Sequence, residues 1–264
     1  MNRIKFCLYL ATLLLPGLTI NTAPIKAICI DMEALFETSD MRASGYVGKI
    51  NSLKYLKQVG NLPCQQDLFK QLAPVPAQST HKITNNGFDM PAVFCDWLLN
   101  VQPATTLIAA VNKYLASSKL SAVEKTVLGN VAHMMMTPSE LLDTQQTITA
   151  THKIIDELVA NKYKVYLVGN WSDTAALKGA FSKIFTKIDG LYCSGNLHEL
   201  KPYPEFYQIV LEKINLTADQ VVWVEKEISF IAKAKQNGLQ VAQFNAKKPK
   251  DLSTALKQLN VKVK

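Results

Sequence analysis

The sequence predicts an α/β fold: a Rossmann-like parallel sheet with helices on both faces, and an all-helical cap inserted after the first strand. Short apolar runs alternate with helical patterns from residue 164 onward. One further apolar run, residues 27–30, stands near the start of the chain. Between them lies a long stretch with helical patterns and little strand-like alternation. Alternating apolar strands and helices are typical of a parallel sheet that is buried on both faces.

The first 26 residues have the pattern of a signal peptide. Arg3 and Lys5 precede an almost wholly apolar run, residues 6–20. A charged start and a short apolar run are typical of secretion signals, and the run is shorter than the roughly 20 residues of a spanning helix. We therefore expect export to the periplasm or the medium, without stable membrane association once the signal is cleaved. The alternative is an inner-membrane anchor formed by residues 6–20.

Charge and cysteine content restrict the functional classes further. The net charge is +8, and the three basic residues before residue 27 leave +5 on the remaining chain. Because the C-terminal lysines are not interleaved with aromatic residues, we expect a solvated helix there and no nucleic-acid partner. A positive chain favours a small anionic or phosphorylated substrate.

Cys64 and Cys95 are candidates for a disulfide, and no Cys/His cluster suggests zinc.

The spacing of apolar residues and the residues typical of helix starts predict the helices and strands. Helical patterns after the first strand cover residues 51–59, 63–72, 92–99, 104–117, 121–136 and 139–160. Ser121 and Glu124 have capping-box spacing, which marks one helix start. Residues 73–90 have the composition of a long loop. The second half then alternates strands 164–168, 190–193, 221–224 and 241–244 with helices 174–185, 204–213, 228–237 and 252–259.

The residues that could bind a ligand or take part in catalysis follow the predicted strands or precede a helix. Asp31 ends the first strand, and Glu33 follows two residues later. The carboxyl ends of parallel strands form the edge where such sheets bind ligands. The other candidates are, in chain order, Gly169 with Asn170, Lys201 before Pro202, and Glu225 with Lys226.

This ordered set resembles the haloacid dehalogenase-like (HAD) superfamily, whose fold is a Rossmann-like sheet with a helical cap inserted after the first strand. The resemblance covers residues 28–248, and its most specific part is the segment KPYPEFY at residues 201–207. After the signal or anchor at residues 1–26, it implies a core formed by residues 27–40 and 148–264, and a cap formed by residues 41–147.

The resemblance also implies roles for the candidate residues. Asp31 would be the nucleophile that forms an aspartyl phosphate, and Glu33 would protonate the leaving group. Lys201 would neutralise negative charge on the nucleophile and the phosphoryl group. The resemblance places Gly169 and Asn170 at the bound phosphoryl group. It places magnesium on Asp31, Glu33 and Glu225, since Mg²⁺ prefers oxygen ligands.

Three positions depart from the family pattern. Glu33 replaces the usual aspartate and is longer by one methylene. Gly169 replaces a serine or threonine and has no hydroxyl. After the strand at residues 221–224, Glu225 and Lys226 stand where two aspartates are common.

These departures leave three hypotheses open. The first is a phosphohydrolase with a divergent active site. The second is an inactive member of the fold that binds a ligand or a protein. The third is metal-free hydrolysis at Asp31, as in dehalogenases of the superfamily.

Overall fold

A computed structural model describes residues 23–59, 65–85, 87–245 and 247–264. Most of the predicted signal segment, and Cys64 of the candidate disulfide, lie outside these ranges. Within them, no helix combines the length and the apolar character that crossing a bilayer requires. Cys29, Cys95 and Cys193 are buried free thiols.

The described strands are β1 (Ala27–Asp31), β2 (Phe36–Thr38), β3 (Thr84–Asn85), β4 (Phe88–Asp89), β5 (Gln145–Thr147), β6 (Lys164–Gly169), β7 (Gly190–Cys193), β8 (Val221–Glu225) and β9 (Gln240–Gln243). Five of them form a parallel sheet in the order β7-β6-β1-β8-β9. From β1 the chain adds β6 and then β7 on one side, and it then crosses back to add β8 and β9 on the other side. The strand order therefore reverses beside β1. Such a reversal opens a crevice at the carboxyl edge of the sheet.

The described helices are α1 (Asp40–Val47), α2 (Lys49–Val59), α3 (Gln65–Leu72), α4 (Ala92–Leu98), α5 (Ala104–Ser117), α6 (Ala122–Met136), α7 (Pro138–Asp143), α8 (Thr149–Ala160), α9 (Thr174–Ala180), α10 (Ser182–Phe185), α11 (Ser194–Leu197), α12 (Pro204–Ile214), α13 (Ile228–Gln236) and α14 (Asp251–Gln258). The predicted capping box at the start of α6 is present, with Ser121 and Glu124 each bonded to the other's backbone amide.

Helices cover both faces of the sheet, as predicted. Ile28 and Ile30 of β1 pack in one apolar cluster with residues of α8 and α14. Ala27 and Cys29, which alternate with them, pack on the opposite face with residues of α12 and α13. Successive side chains of a strand point to opposite faces, so a continuous apolar run is needed to bury both. The predicted α/β fold class is therefore confirmed.

The helical insertion is joined to the sheet by a two-stranded ribbon. β2 leaves the core and β5 returns to it, and the two pair antiparallel, with Phe36 opposite Thr147. Between them lie α1 to α7 and the short hairpin of β3 and β4, so the insertion is helical apart from this hairpin. The insertion has its own apolar core around Phe69, Phe94 and Val111.

Two predicted helices are divided in the structure. The single helix expected over residues 139–160 is α7, β5 and α8, because β5 pairs with β2 and interrupts the helical pattern. The helix expected over residues 174–185 is divided at Phe181, whose φ of −121° is not helical. The sequence analysis also missed α1 and the β3–β4 hairpin.

Candidate functional site

A cavity of about 420 Å³ lies between the carboxyl edge of the sheet and the insertion. Every residue that the sequence analysis placed in the site lines it except Glu225, which lies directly behind, bonded to Lys201. The core side of the cavity is formed by Asp31, Met32, Glu33, Gly169, Asn170, Lys201 and Lys226. The insertion contributes an apolar wall that includes Phe69, Met90, Phe94, Trp97 and Leu98.

Asp31 is fixed by the turn that follows its own strand. It ends β1 opposite Val168 of β6, and its side chain caps the short 3₁₀ turn Met32–Ala34. The backbone amide of Glu33 donates to Asp31 Oδ1 at 2.7 Å. A buried strand followed at once by a turn thus delivers a carboxylate to the sheet edge in one orientation.

Lys201 bridges two buried carboxylates. Its ammonium donates to Asp31 Oδ2, and to Glu225 Oε2 at 2.6 Å. Asp31 and Lys201 are each only 2% exposed, and Glu225 is 1% exposed. Burial alone would lower the pKa of Lys201, but the two carboxylates raise it above the ordinary lysine value. The lysine is therefore a permanent cation at neutral pH, which lies 5.2 Å from the centre of the Phe230 ring.

Glu225 holds a proton more readily than an ordinary glutamate does. Its Oε1 accepts from the backbone amides of Lys226, at 2.8 Å, and Glu227, at 3.1 Å. Desolvation nevertheless raises the pKa of Glu225 to about 7, against the opposing effect of Lys201. One ammonium group cannot compensate two carboxylates in the same dry site, so the second one retains a proton more readily.

Asn170 positions Lys201. Its Nδ2 donates to the carbonyl oxygen of Lys201, and its Oδ1 accepts from the Lys201 amide, both at 2.9 Å. The side chain thus holds the backbone of a residue that lies far away in sequence. Its predicted contact with substrate stays a prediction.

The site has no side chain at position 169, and Met32 fills the resulting space. A Cβ added at Gly169 would lie 2.8 Å from Met32 Cε. Met32 is buried and also contacts Cys193, whose Sγ lies 3.9 Å from Met32 Sδ. The sequence analysis missed this residue, although its place between two acids was a usable signal.

Glu33 and Lys226 form a second ion pair at the mouth of the cavity. Lys226 Nζ lies 3.4 Å from Glu33 Oε2, and both side chains are about half exposed. Desolvation within the cleft and the charge of Asp31 raise the pKa of Glu33 above that of an ordinary glutamate. Like Glu33, Lys226 lines the cavity.

The residues present do not fit a magnesium site. Magnesium needs near-octahedral oxygen coordination, yet the carboxylate oxygens of Asp31 and Glu225 already accept from Lys201 or from backbone amides. The ammonium group of Lys226 lies 3.4 Å from Glu33, the third expected ligand, and its positive charge would repel a metal ion there. Across the described ranges, no three acids, histidines or cysteines form a group that would hold a metal ion.

A loop of the insertion is strapped to the segment that carries Lys201. We name residues 78–83 the strap. The strap begins with the amides of Gln78 and Ser79, which donate to the buried carboxylate of Asp96 at 2.7 and 2.6 Å. It then meets the core, where His81 Nε2 lies 3.0 Å from Glu199 Oε1 and the Lys82 amide donates to Tyr203 Oη at 2.8 Å. The long loop expected at residues 73–90 is thus tied down on both sides.

Within residues 90–97 of the insertion, some side chains line the cavity and another holds the strap. Met90, Phe94 and Trp97 line the cavity, as a substrate entrance would require. Asp96 does not line the cavity, and its carboxylate accepts the two strap amides instead. The indole nitrogen of Trp97 is buried and has no hydrogen-bond partner among the described residues.

Comparison with known proteins identifies the fold. A predicted HAD-like family hydrolase from Porphyromonas gingivalis is similar over 91% of this chain and 100% of its own, with a TM-score of 0.57 and 12% identity. A HAD family enzyme from Bacteroides thetaiotaomicron, in complex with magnesium and inorganic phosphate, is similar over 84% of this chain and 95% of its own, with a TM-score of 0.53 and 14% identity. No protein-family model and no curated protein matches the sequence. The chain has the HAD-like fold, as its motifs predicted.

Proposed function

We propose that the protein is a hydrolase of phosphate monoesters that uses Asp31 as its nucleophile. One observation carries the proposal: the Asp31 carboxylate lines a cavity and is held at both oxygens, by the Glu33 amide and the Lys201 ammonium. A carboxylate fixed in this way needs little reorganisation before it attacks. The complex of a structurally similar enzyme with inorganic phosphate favours phosphorus as the electrophile.

The proposed reaction has two displacement steps. An oxygen of Asp31 attacks phosphorus, the bond from phosphorus to the ester oxygen breaks, and Glu33 gives its proton to the departing alcohol. Water then attacks phosphorus of the aspartyl phosphate, Glu33 takes a proton from it, and inorganic phosphate and free Asp31 result. The raised pKa of Glu33 suits this role, because a general acid must hold its proton near the working pH.

The apolar wall of the cavity favours substrates with an apolar group. Phe69, Phe94 and Trp97 face the reaction cavity from the insertion, opposite the charged floor. An anionic phosphoryl group at the floor and an apolar group against the wall would bury complementary surfaces. We therefore propose esters of apolar or aromatic alcohols as substrates, and a lower rate for glycerol phosphate.

Hydrolysis of an aryl phosphate by the full chain tests this function. We expect turnover that Asp31→Asn abolishes and Glu33→Gln lowers about 100-fold, within the range for general acid catalysis. Asp251→Asn is the matched control, since this acid is exposed in the first turn of α14. A protein adduct heavier by one phosphoryl group after acid quenching would support the intermediate. Equal rates in wild type and Asp31→Asn would overturn the proposal.

A second candidate is a non-catalytic protein that binds a ligand in the same cavity. The observation that favours it is Met32, which occupies the space where the family pattern expects a hydroxyl. Binding of an aryl phosphate without turnover, in wild type and Asp31→Asn alike, would support this candidate. Chloride release from a 2-chloroacid, lost in Asp31→Asn, would instead support the dehalogenase alternative.

We also propose that the protein acts outside the cytoplasm. Arg3, Lys5 and the apolar run of residues 6–20 support this localisation. Cell fractionation, with determination of the N-terminal residue of the exported form, distinguishes a cleaved signal from an anchor. Full-length protein in the cytoplasmic fraction would overturn the proposal.

A further inference from the structure

Each carboxylate oxygen of Asp31 and Glu225 already accepts at least one hydrogen bond. Lys201 Nζ lies between Asp31 Oδ2 and Glu225 Oε2. The remaining oxygens, Asp31 Oδ1 and Glu225 Oε1, accept backbone amides from the turns that follow β1 and β8. A cation entering here would have to displace a buried ammonium group and break bonds that shape both turns.

A second ammonium group stands at the place where the family pattern expects a metal-binding acid. Lys226 directly follows Glu225, lines the cavity and lies 3.4 Å from Glu33 Oε2. Its side chain is 41% exposed, so it can turn from Glu33 toward a ligand in the cavity at little cost. Lysine binds phosphate as a mobile point charge.

The two lysines of the cavity differ in how many carboxylates they contact among the described residues. The ionisable groups in contact are three carboxylates and two ammonium groups, so acids exceed bases by one. Lys201 is shared between two carboxylates, whereas Lys226 has a single exposed partner. Lys226 is thus the cation with charge left to offer to a ligand.

We propose that Lys226, with Lys201 beside it, replaces the divalent cation, so that the cavity binds phosphate without metal. Lys201 holds the nucleophile, and Lys226 binds the phosphoryl oxygens that a magnesium ion would otherwise bind. The catalytic part of this inference rests on the proposed hydrolase function, while metal-free phosphate binding does not.

Calorimetric titration of inorganic phosphate into the full chain in EDTA tests the inference. We expect binding that weakens at least tenfold in Lys226→Gln and persists in Lys226→Arg. Lys233→Gln, an exposed lysine on α13, is the matched control and should bind as wild type does. Equal affinity in wild type and Lys226→Gln would overturn the inference.

Magnesium titration supplies a second readout. We expect that Mg²⁺ leaves both the phosphate affinity and the rate of aryl phosphate hydrolysis unchanged within twofold. A tenfold gain in either on adding Mg²⁺ would overturn metal independence while leaving the hydrolase proposal intact. Phosphate binding that needs Lys226 but not Mg²⁺, in a protein without turnover, would retain this inference and reject the hydrolase.

Discussion

Met32 and Gly169 are complementary in shape. The methyl carbon of Met32 lies where a side chain at residue 169 would start, 2.8 Å from the position of its Cβ. That Cβ would also lie 3.6 Å from Asp31 Oδ2. A serine at this position would therefore bring a hydroxyl beside the Asp31 carboxylate, and Met32 would have to move.

The first prediction concerns this pair. Gly169→Ser alone should lower the free energy of unfolding by about 1 kcal/mol, because the end of a flexible methionine has to move. With Met32→Ala added, the hydroxyl has room, and we expect aryl phosphate turnover about tenfold above that of Met32→Ala alone. Urea unfolding and steady-state kinetics measure the two effects. No gain in the double variant over Met32→Ala would contradict the prediction.

The second prediction concerns the buried lysine. Lys201→Met leaves two buried carboxylates without their cation, and we expect a loss of about 3–5 kcal/mol in the free energy of unfolding. Adding Glu225→Gln removes one of these charges and should recover a measurable part of that loss. Urea denaturation at pH 8 compares the two variants. The prediction fails if the double variant is less stable than Lys201→Met.

The third prediction concerns pH. The pKa of Glu225 is raised to about 7 in the folded protein, above the ordinary glutamate value of 4.5. The folded state therefore binds this proton more tightly than the unfolded state, and the contribution of Glu225 to stability falls as the pH rises from 4.5 to 7. At 1.36 kcal/mol per unit, the fall is about 3 kcal/mol.

Comparison with Glu225→Gln isolates this effect, since glutamine does not titrate. Urea unfolding of both proteins at pH 5, 6, 7 and 8 gives the difference in stability at each pH. We expect wild type to lose stability relative to the variant up to pH 7 and no further change above it. Parallel pH profiles would contradict the prediction.

The fourth prediction concerns the strap. Tyr203→Phe removes the hydroxyl that accepts from the Lys82 amide, which should cost about 1 kcal/mol locally. Hydrogen exchange at Lys82 should accelerate, whereas amides of β1 keep their protection. Tyr163→Phe is a matched control, because that hydroxyl accepts from the Lys262 amide near the C-terminus. Equal exchange at Lys82 in both variants would show that the bond does not hold the strap.

The sheet and the positions at its edge were readable from sequence because they depend on local patterns. An apolar run that ends in Asp31 or Glu225 predicts a buried strand and an edge carboxylate, and the sheet register then places these strand ends side by side. Lys201 was placed by a different route, through the resemblance of residues 201–207 to a family motif, because a lysine before a proline is by itself no site signal.

The remaining features depend on contacts between residues far apart in the chain. Nothing near Phe36 or Thr147 predicts that the two segments pair, because neither has a strong strand pattern. The bonds of Asn170 to the Lys201 backbone likewise become visible only when both loops are in place. The sequence indicated which ionisable groups follow the strands, and the fold determined which of them form ion pairs.

The β2–β5 ribbon makes the helical insertion a replaceable module. Thr38 and Gln145 are paired neighbours, so the insertion starts and ends at the same point in space. A two-residue hairpin turn could connect them without altering the register of the sheet. Exchanging the insertion would therefore replace the apolar wall through a single junction, and it would also remove the strap's bonds to Glu199 and Tyr203 beside Lys201.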